Sequence, residues 1–572
     1  MLSDSPGDVF NAIFLMKVDN PILRFDLSAR YSALLERTNP RILIPSTETT
    51  VLGDSPSAAF SAINRALSIL QTALTTRVTL ISVTSPSTPP YHITSSPPAP
   101  PTTLNLGFII DAESSRRLVD HGPPANDHAA AANFRAFWGE KAELRRFKDG
   151  SILESVLWTC KSPEDQYGIV KRIVRFVIAR HISAGVAGDI TFLTPNLWSE
   201  IAVSSNLKAT YGKMDGDGFG GLGDMFDLFV RQMKDLKDMP LGISGVIPVG
   251  DGLTWTRVYA PYRQNYAKLS TETAGSYYAP VEDVVVQLEG SGKWPDDLRA
   301  IQKVKIGLLL HMASQLEKFH SVTTHVGLEN TDTDISNTGF LDVIYEQGYT
   351  FRARIQHDPN HREAHLIERT LKNKSLDTTN RLKFEAALKS YQENFMRGTA
   401  HAQILHSLRG KYFFLPHSIR LVKRWFSAHL LSRQVSPKAI ELIVCYVYLH
   451  PHPWTAPSSA EVGFLRTLHL LATWDWRKEV LIIDFDGSMS PDRHMEISKA
   501  FEGMKKQDPG IIHSAWSISV GYDATGSYWT RDRPGKAVAA RVTALAKSSL
   551  DVLSKDAGNV KVRTFIAIRP NK

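Results

Sequence analysis

The chain has 572 residues, of which 43% are apolar and 22% are charged, with 66 Lys and Arg against 58 Asp and Glu. This length predicts roughly three to five domains of about 100 to 200 residues each, and the composition excludes fibrous proteins. No apolar run approaches the roughly 20 residues that span a bilayer, and two cysteines cannot build a disulfide framework. We therefore expect a protein of the cytosol or nucleus that makes no membrane contact.

The formal net charge of +8 favours contact with a polyanion such as RNA. A basic face that is merely solvated is the alternative. Charge alone does not decide between these two interpretations.

The first predicted domain contains a Pro- and Ser-rich stretch, residues 84–103, which we expect to be an exposed insertion. The strand pattern "LNLGFIID" follows it. Further on, "FRAFWGEKAELRRFKDGSILESVLW" carries Asp149-Gly150 between two extended runs, and this dipeptide predicts a β-hairpin because Gly accepts positive φ.

A helical pattern over residues 163–182 is predicted to open a second domain. The Gly-rich stretch of residues 214–224 predicts a loop before an amphipathic helix, and "LGISGVIPV" and "VEDVVVQLE" predict strands. Pro295 is expected at the first position of a long helix that carries Asp296 and Asp297 in its first turn. Gln347-Gly348 predicts another hairpin.

Helical patterns dominate beyond about residue 376. One helix is predicted to have Pro437 at its first position, and another to begin with a capping box that joins Ser458 to Glu461. The strand pattern "VKVRTFIAIRP" comes shortly before the last residue, so we expect the beginning of a truncated domain there.

Basic residues alternate with aromatic residues in two segments, and such patterns are typical of proteins that pair cations with phosphates and stack aromatic rings on bases. The candidate RNA-binding residues are Arg145, Arg146 and Lys148, near Phe134, Phe137 and Trp138, and Arg420, Lys423 and Arg424, beside Trp425 and Phe426. Core aromatic residues with solvated charges are the alternative interpretation.

Several of these segments together resemble the Nrap family of nucleolar RNA-associated proteins. They are "FRAFWGEKAELRRFKDGSILESVLW", "EGSGKWPDDLRAIQ", "RLVKRWFSAHLLS", "GFLRTLHLLATWDW" and "YDATGSYWT". Members of this family contain two tandem modules like CCA-adding enzymes, and this sequence looks like the end of the first module followed by most of the second.

The resemblance implies an α+β multidomain fold with four parts. These are an RRM-like body domain (residues 1–160), a degenerate nucleotidyltransferase α/β domain (161–375), a helical domain of the poly(A)-polymerase and oligoadenylate-synthetase type (376–550), and the start of a truncated C-terminal body domain (551–572).

An active nucleotidyltransferase of this type needs a Gly-Ser turn for the triphosphate and three carboxylates for two Mg²⁺ ions. The resemblance places the turn at Ser244 and Gly245, in reversed order, and the carboxylate pair at Val281 and Asp283. The third carboxylate position falls near Arg352, where a cation repels Mg²⁺. We therefore expect a pseudoenzyme without a catalytic residue, metal or cofactor, in which Asp296 and Asp297 only cap a helix.

The resemblance also implies a function. It is that of a non-catalytic scaffold of the small-subunit processome in the nucleolus, which binds pre-rRNA, snoRNP and assembly proteins during early 18S rRNA processing. The implied partners include a casein kinase 2-containing subcomplex. An active template-independent RNA nucleotidyltransferase and a pure protein-interaction module are the alternatives.

Overall fold

The computed structural model describes residues 25–30, 56–84, 103–160, 163–192, 218–261, 281–329, 334–507 and 510–555, with short gaps inside some of these ranges. The chain divides into two compact units. Residues 1–197, 425–484 and 488–572 form the first unit, and residues 198–424 and 485–487 form the second. The predicted insertion at residues 84–103, except for its two end residues, and the predicted strand near the C-terminus lie outside the described residues.

The N-terminal part of the first unit contains strands β1 (Phe25–Arg30), β2 (Val78–Thr84), β3 (Thr103–Ile110), β4 (Val119–Pro124), β5 (Ala142–Arg146), β6 (Ile152–Leu157) and β7 (Thr191–Phe192). Its helices are α1 (Pro56–Leu74), α2 (His128–Trp138), α3 (Ile169–His181) and α4 (Ala184–Asp189).

Four of these strands form an antiparallel sheet in the order β2-β3-β1-β7. With α1 after β1 and α3 before β7, the elements follow the βαββαβ order of ferredoxin-like folds. The segment β4-α2-β5-β6 is inserted between β3 and α3, and its strands form a separate antiparallel sheet in the order β4-β6-β5. The hairpin predicted at Asp149-Gly150 is confirmed, with Gly150 at φ 86°.

Helix α3 belongs to the core of this first domain. Ile169, Ile173 and Val177 are fully buried in one apolar cluster with Leu70 of α1 and Phe108 of β3. From the sequence this helix is assigned to the second domain, because its amphipathic pattern does not show which sheet it packs against. We propose that the boundary lies after β7 rather than at residue 160.

The second unit contains α5 (Gly218–Lys234), α6 (Leu298–Phe319), α7 (Arg362–Leu371), α8 (Thr378–Tyr391) and α9 (Gly398–Lys411), with a π-helical turn (Gln392–Arg397) between α8 and α9. Its strands are β8 (Ile243–Pro248), β9 (Val281–Leu288), β10 (Val322–Leu328), β11 (Gly339–Tyr345) and β12 (Thr350–Gln356).

These strands form one sheet in the order β10-β11-β12-β9-β8, in which only β12 and β9 run parallel. Phe229 of α5 and Met312 of α6 pack against one face, beside Phe351 of β12. On the opposite face, Val285 of β9 packs with Tyr391 of α8. The middle of β9, an inner strand of the sheet, is apolar on both faces, as its Val284-Val285-Val286 run predicts.

Helix α10 (Leu415–Ala428) contains the division between the two units, because residues up to Arg424 cluster with the second unit and the rest with the first. The remaining elements are α11 (Pro437–Leu449), α12 (Ala460–Thr473), β13 (Leu481–Ile483), α13 (Pro491–Gln507), β14 (Ile518–Val520) and α14 (Lys536–Lys555). The predicted boundaries at residues 375/376 and 550/551 therefore do not coincide with the compact units, and the second falls inside α14.

Three predicted helix starts need correction. Helix α5 begins at Gly218 inside the predicted loop, because burial of Phe219 and Leu222 outweighs the low helix propensity of glycine. Helix α6 begins after Asp297, whose carboxylate accepts the Ala300 amide, so Pro295 precedes the helix. Helix α12 is capped by Ser459 rather than Ser458.

Candidate functional site

One face of the second unit's sheet brings together the positions that the sequence analysis assigned to metal ligands. Asp283 on β9 and Arg352 on β12 are direct neighbours across the parallel strand pair. Arg354, two residues further along β12, lies on the same face because side chains alternate along a strand. Its Nη1 donates to Asp283 Oδ1 at 2.5 Å, and its Nη2 donates to Glu329 Oε1 at 2.5 Å. The Asp283 carboxylate is thus paired with a guanidinium.

Arg352 is held by a second carboxylate on the neighbouring strand β11. Its Nε and Nη2 donate to the two oxygens of Asp342 at 2.7 and 2.8 Å, and its guanidinium lies 3.9 Å from the centre of the Phe340 ring. The hydrogen bond to Asp342 raises the pKa of Arg352 against the effect of burial, and the charges of Asp342, Asp283 and Glu329 add to the rise. Three carboxylates and two guanidiniums therefore form one network, which we call the arginine network (Asp283, Glu329, Asp342, Arg352 and Arg354).

Ser244 and Gly245 do not form the predicted turn. Both lie inside β8, where Gly245 is the partner of Gln287 on β9 and the Ser244 hydroxyl donates to the Gln287 carbonyl. The antiparallel pairing of β8 and β9 brings Gly250, after the end of β8, to Asp283, where the Gly250 amide donates to the Asp283 carbonyl at 2.8 Å. The turn next to the network is therefore the glycine turn (residues 250–257).

The glycine turn encloses the side chain of Glu282. The Gly252 amide donates to Glu282 Oε2 at 3.0 Å, and Nη1 of Arg257 lies 2.6 Å from Oε1. A Cβ atom at Gly250 would lie 2.5 Å from Oε2, and one at Gly252 would lie 2.3 Å from Oε1. Both positions need glycine because the carboxylate is in contact with the turn's backbone.

Burial raises the pKa of Glu282 to about 7, and the positive charge of Arg257 and the Gly252 amide oppose this rise. Because Glu282 points to the opposite face of β9 from Asp283, it is no part of the arginine network. An amide-lined turn of this kind binds anions, and here an internal carboxylate is the anion.

The second candidate RNA-binding segment is largely buried. Arg420 is 7% exposed and lies 4.4 Å from the centre of the Phe219 ring, while Lys423 is 8% exposed with its Nζ 3.3 Å from Asp251. Arg424 is half-buried. Burial at this level leaves little of Arg420 or Lys423 for a phosphate.

The first candidate segment is accessible. Arg146 and Lys148 are exposed at the tip of the β5–β6 hairpin, and half-buried Arg145 pairs with Glu143 through a 2.6 Å hydrogen bond. Of the aromatic residues on α2, Trp138 is 4% exposed and packs in the core beside Trp158, as the alternative interpretation expected for the aromatic residues. Phe134 and Phe137 are only half-buried.

The sequence patterns did not indicate Glu329, Asp342, Arg354, Arg257 or the role of Glu282. Their partners are 10 to 71 residues away in the chain, so no local pattern indicates them. Among the described residues, no group of three or more His, Cys, Asp or Glu side chains is placed to hold a metal ion. Over the same ranges, no helix has the length and hydropathy to cross a bilayer.

Three family models match consecutive parts of the chain. They are described as Nrap protein domain 3 (residues 21–183), Nrap protein nucleotidyltransferase domain 4 (201–410) and Nrap protein PAP/OAS1-like domain 5 (412–567).

Curated relatives agree with these models. U3 small nucleolar RNA-associated protein 22 of Schizosaccharomyces pombe is 32% identical over 98% of this chain, which spans 49% of that protein. Nucleolar protein 6 of Xenopus tropicalis is 30% identical over 86% of this chain, which spans 42% of it. The human protein of the same name is 27% identical over 97% of this chain. The chain thus spans about half the length of the curated relatives it matches.

Among solved structures, terminal uridylyl transferase 4 from Trypanosoma brucei with bound UTP aligns with a TM-score of 0.30 at 12% identity. The alignment covers 60% of this chain and 97% of the transferase. A score this low does not by itself establish a shared fold. The family models, which together cover most of the sequence, do identify it: the chain belongs to the Nrap family.

Proposed function

We propose that this chain is a non-catalytic scaffold of the small-subunit processome, which acts in the nucleolus and binds pre-rRNA, snoRNP and assembly proteins. Support comes from the relatives named U3 small nucleolar RNA-associated protein 22 and nucleolar protein 6. The βαββαβ order of the first domain supports the RRM-like body expected from the sequence.

The arginine network is the observation that carries the non-catalytic part of this proposal. A two-metal nucleotidyltransferase needs converging carboxylates that are free to bind Mg²⁺. Here the residue opposite Asp283 is Arg352, and Asp283 itself is paired with Arg354. A guanidinium within about 4 Å of a divalent cation opposes its binding by several kcal/mol at an effective dielectric constant near 20. We infer that this face does not hold a metal pair.

The glycine turn supports the same proposal. We infer that the glycine turn takes the place of the predicted Gly-Ser turn, and its Gly252 amide already donates to Glu282. A triphosphate at this turn would have to displace a carboxylate that is also paired with Arg257. Glu282 in its ionised form would also repel a phosphate.

Incorporation of labelled nucleotide into single-stranded RNA with Mg²⁺ or Mn²⁺ tests the catalytic part. We expect no product above a buffer blank from a chain whose circular dichroism shows it folded. Product that disappears in Asp283→Asn would identify an active nucleotidyltransferase and overturn the proposal.

The RNA-binding part of the proposal relies on Arg146 and Lys148 at the hairpin tip, with Arg145 beside them. Cations that neutralise phosphates of single-stranded RNA release counterions, so affinity falls with salt with a logarithmic slope of about 0.7 per contact. In Arg146→Glu/Lys148→Glu, we expect weaker binding and a slope smaller by about 1.4.

The matched control is Lys499→Glu/Lys506→Glu, which makes the same charge change on the exposed side of α13 in the same unit. This control should bind RNA like the unmodified chain. Equal effects of the two double variants would refute the assignment to the hairpin.

Association with a casein kinase 2-containing subcomplex is the last part of the proposal, and it rests on the family resemblance. Co-purification of that subcomplex with the tagged chain from nucleolar extract tests it. The hairpin charge-reversal variant should retain the association if RNA and protein partners use different surfaces.

A further inference from the structure

A cavity of about 600 Å³ opens beside the hairpin, in the first unit. The end of α1, strand β4 and helix α2 line it. The residues that matter here are Arg117, His121, Asn133, Phe134 and Phe137. Its volume lies within the roughly 300 to 1,000 Å³ typical of small-ligand pockets, so it has room for a nucleobase with its ribose.

Aromatic rings form part of the cavity wall, and packing fixes them in place. Phe137 stacks on His181 with a 4.5 Å centroid distance and meets Trp138 edge-on at 5.2 Å. Phe134 closes over Gly122, where a Cβ atom would lie 2.7 Å from the Phe134 ring. Fixed aromatic rings bind a flat base without losing side-chain freedom.

The charge of the cavity wall suits an anionic ligand. The carboxylate of Asp120, a residue of the cavity lining, accepts hydrogen bonds from Arg77, Arg117 and Trp158. Arg117 of the cavity lining and the buried Arg77 behind it more than balance this one carboxylate, which leaves a local excess of one positive charge. A phosphate near the cavity is therefore not repelled by the combined charge of these three side chains.

Two exposed polar side chains at the cavity remain available. The Asn133 amide has no hydrogen-bond partner among the described residues, and neither does the His121 imidazole. An amide offers a donor and an acceptor side by side, which is the arrangement that pairs with a base edge.

His121 also connects the cavity to the basic hairpin tip. Its ring stacks on Phe147, with centroids 4.5 Å apart and an interplanar angle of 25°. Phe147 lies in the chain between Arg146 and Lys148. The tip cations and the cavity are therefore neighbouring parts of one surface.

We propose that this cavity receives one unstacked base of single-stranded RNA while the flanking phosphates bind the hairpin tip. The inference rests on the RNA binding proposed above and adds a site for a base. Asn133 contacts the base edge, and the half-buried rings of Phe134 and Phe137 supply the stacking surface.

The test uses the full chain, a fluorescent single-stranded RNA 12-mer of mixed sequence, and a 12-mer of the same length in which every base is replaced by an abasic site. Asn133→Trp fills the cavity from an exposed helix position, and Ala132→Trp, at the exposed neighbouring position outside the cavity lining, is the matched control. Circular dichroism and thermal midpoints check that both variants fold.

We expect Asn133→Trp to weaken binding of the mixed 12-mer roughly 5- to 100-fold, the range for loss of one stacked base, with an unchanged salt slope. Binding of the abasic 12-mer should not change. Ala132→Trp should match the unmodified chain, and 4-thiouridine RNA should crosslink within residues 121–137.

Three outcomes are distinguishable from this result. If Asn133→Trp binds the mixed 12-mer as the unmodified chain does, the base site is refuted and hairpin-mediated RNA binding survives. If the unmodified chain binds neither 12-mer, the proposed RNA function fails as well. If free nucleoside monophosphates displace the RNA at equal concentration, the cavity is a small-molecule site and the proposal is wrong.

Discussion

Replacement of Lys305 by Met should strongly destabilise the second unit, because Lys305 forms a fully buried ion pair. Its Nζ lies 2.5 Å from Glu363 Oε2, and the side chains are 2% and 1% exposed. Gln302 donates to the other oxygen of Glu363 at 2.5 Å. The Gln302 amide and the Lys305 ammonium each donate to one oxygen of Glu363, which stabilises its charged form.

The magnitude follows from removing the Lys305 ammonium from this carboxylate, which leaves Gln302 and His357 as its polar neighbours. Burial alone would raise the pKa of Glu363, and the Lys305 ammonium holds it below its usual range instead. Removal of one partner of a buried ion pair costs about 3 to 5 kcal/mol. With the cation absent, burial raises the pKa of Glu363, so the variant should lose further stability as pH rises above the ordinary range of glutamate.

Native-state hydrogen exchange of the α6 amides is the suitable assay, since a chain with two units need not unfold in one step. A loss of 3 to 5 kcal/mol accelerates exchange roughly a hundred- to several-thousand-fold where global opening of the unit limits it. Lys303→Met, at an exposed position of the same helix, is the control and should stay within about 0.5 kcal/mol.

Equal exchange rates in Lys305→Met and Lys303→Met would refute the reasoning. The double variant Lys305→Met/Glu363→Leu provides a second check. It removes both charges and should recover most of the loss, because apolar replacement of a whole buried pair is close to neutral.

Three further predictions concern the same unit. Gly252→Ala should lower the free energy of unfolding by about 1 to 3 kcal/mol, because its Cβ would clash with the Glu282 carboxylate. Gly290→Ala, with open space around its Cβ, is the control and should be tolerated. Urea unfolding midpoints compare the two variants. Because the native pKa of Glu282 is about 7, the native state retains a proton that the unfolded chain releases, so stability falls as pH rises from 5 to 8. Glu282→Gln should remove roughly 2 to 3 kcal/mol of that pH dependence, measured as unfolding free energy at the two pH values, and an unchanged slope would contradict the burial of the carboxylate. Asp297→Ala should cost about 1 kcal/mol by loss of the α6 cap, seen as faster exchange of the Ala300 amide.

Local chemistry explains which elements could be predicted from the sequence. The hairpins at Asp149-Gly150 and Gln347-Gly348 depend on glycines with φ of 86° and 89°, and dipeptides of this kind indicate such turns directly. The assignment of Asp283 and Arg352 to one site agrees with their cross-strand pairing, although their roles remain a proposal.

Long-range pairing explains what could not be predicted. The position of the glycine turn depends on the register between β8 and β9, and 32 residues separate these two strands in the chain. The placement of α3 in the first core depends on contacts with α1, about 100 residues earlier in the chain. Neither the register nor these contacts leave a periodic signal in the sequence.

The arginine network also makes a return to catalysis difficult for this domain. A single change of Arg352 to Asp would place a fourth carboxylate beside Asp283, Glu329 and Asp342, with Arg354 as the only cation of the network left. Mutual repulsion of these acids would destabilise three adjacent strands before any magnesium could compensate. An evolutionary route through this variant therefore passes through poorly folded proteins, and the network hinders the recovery of a metal site.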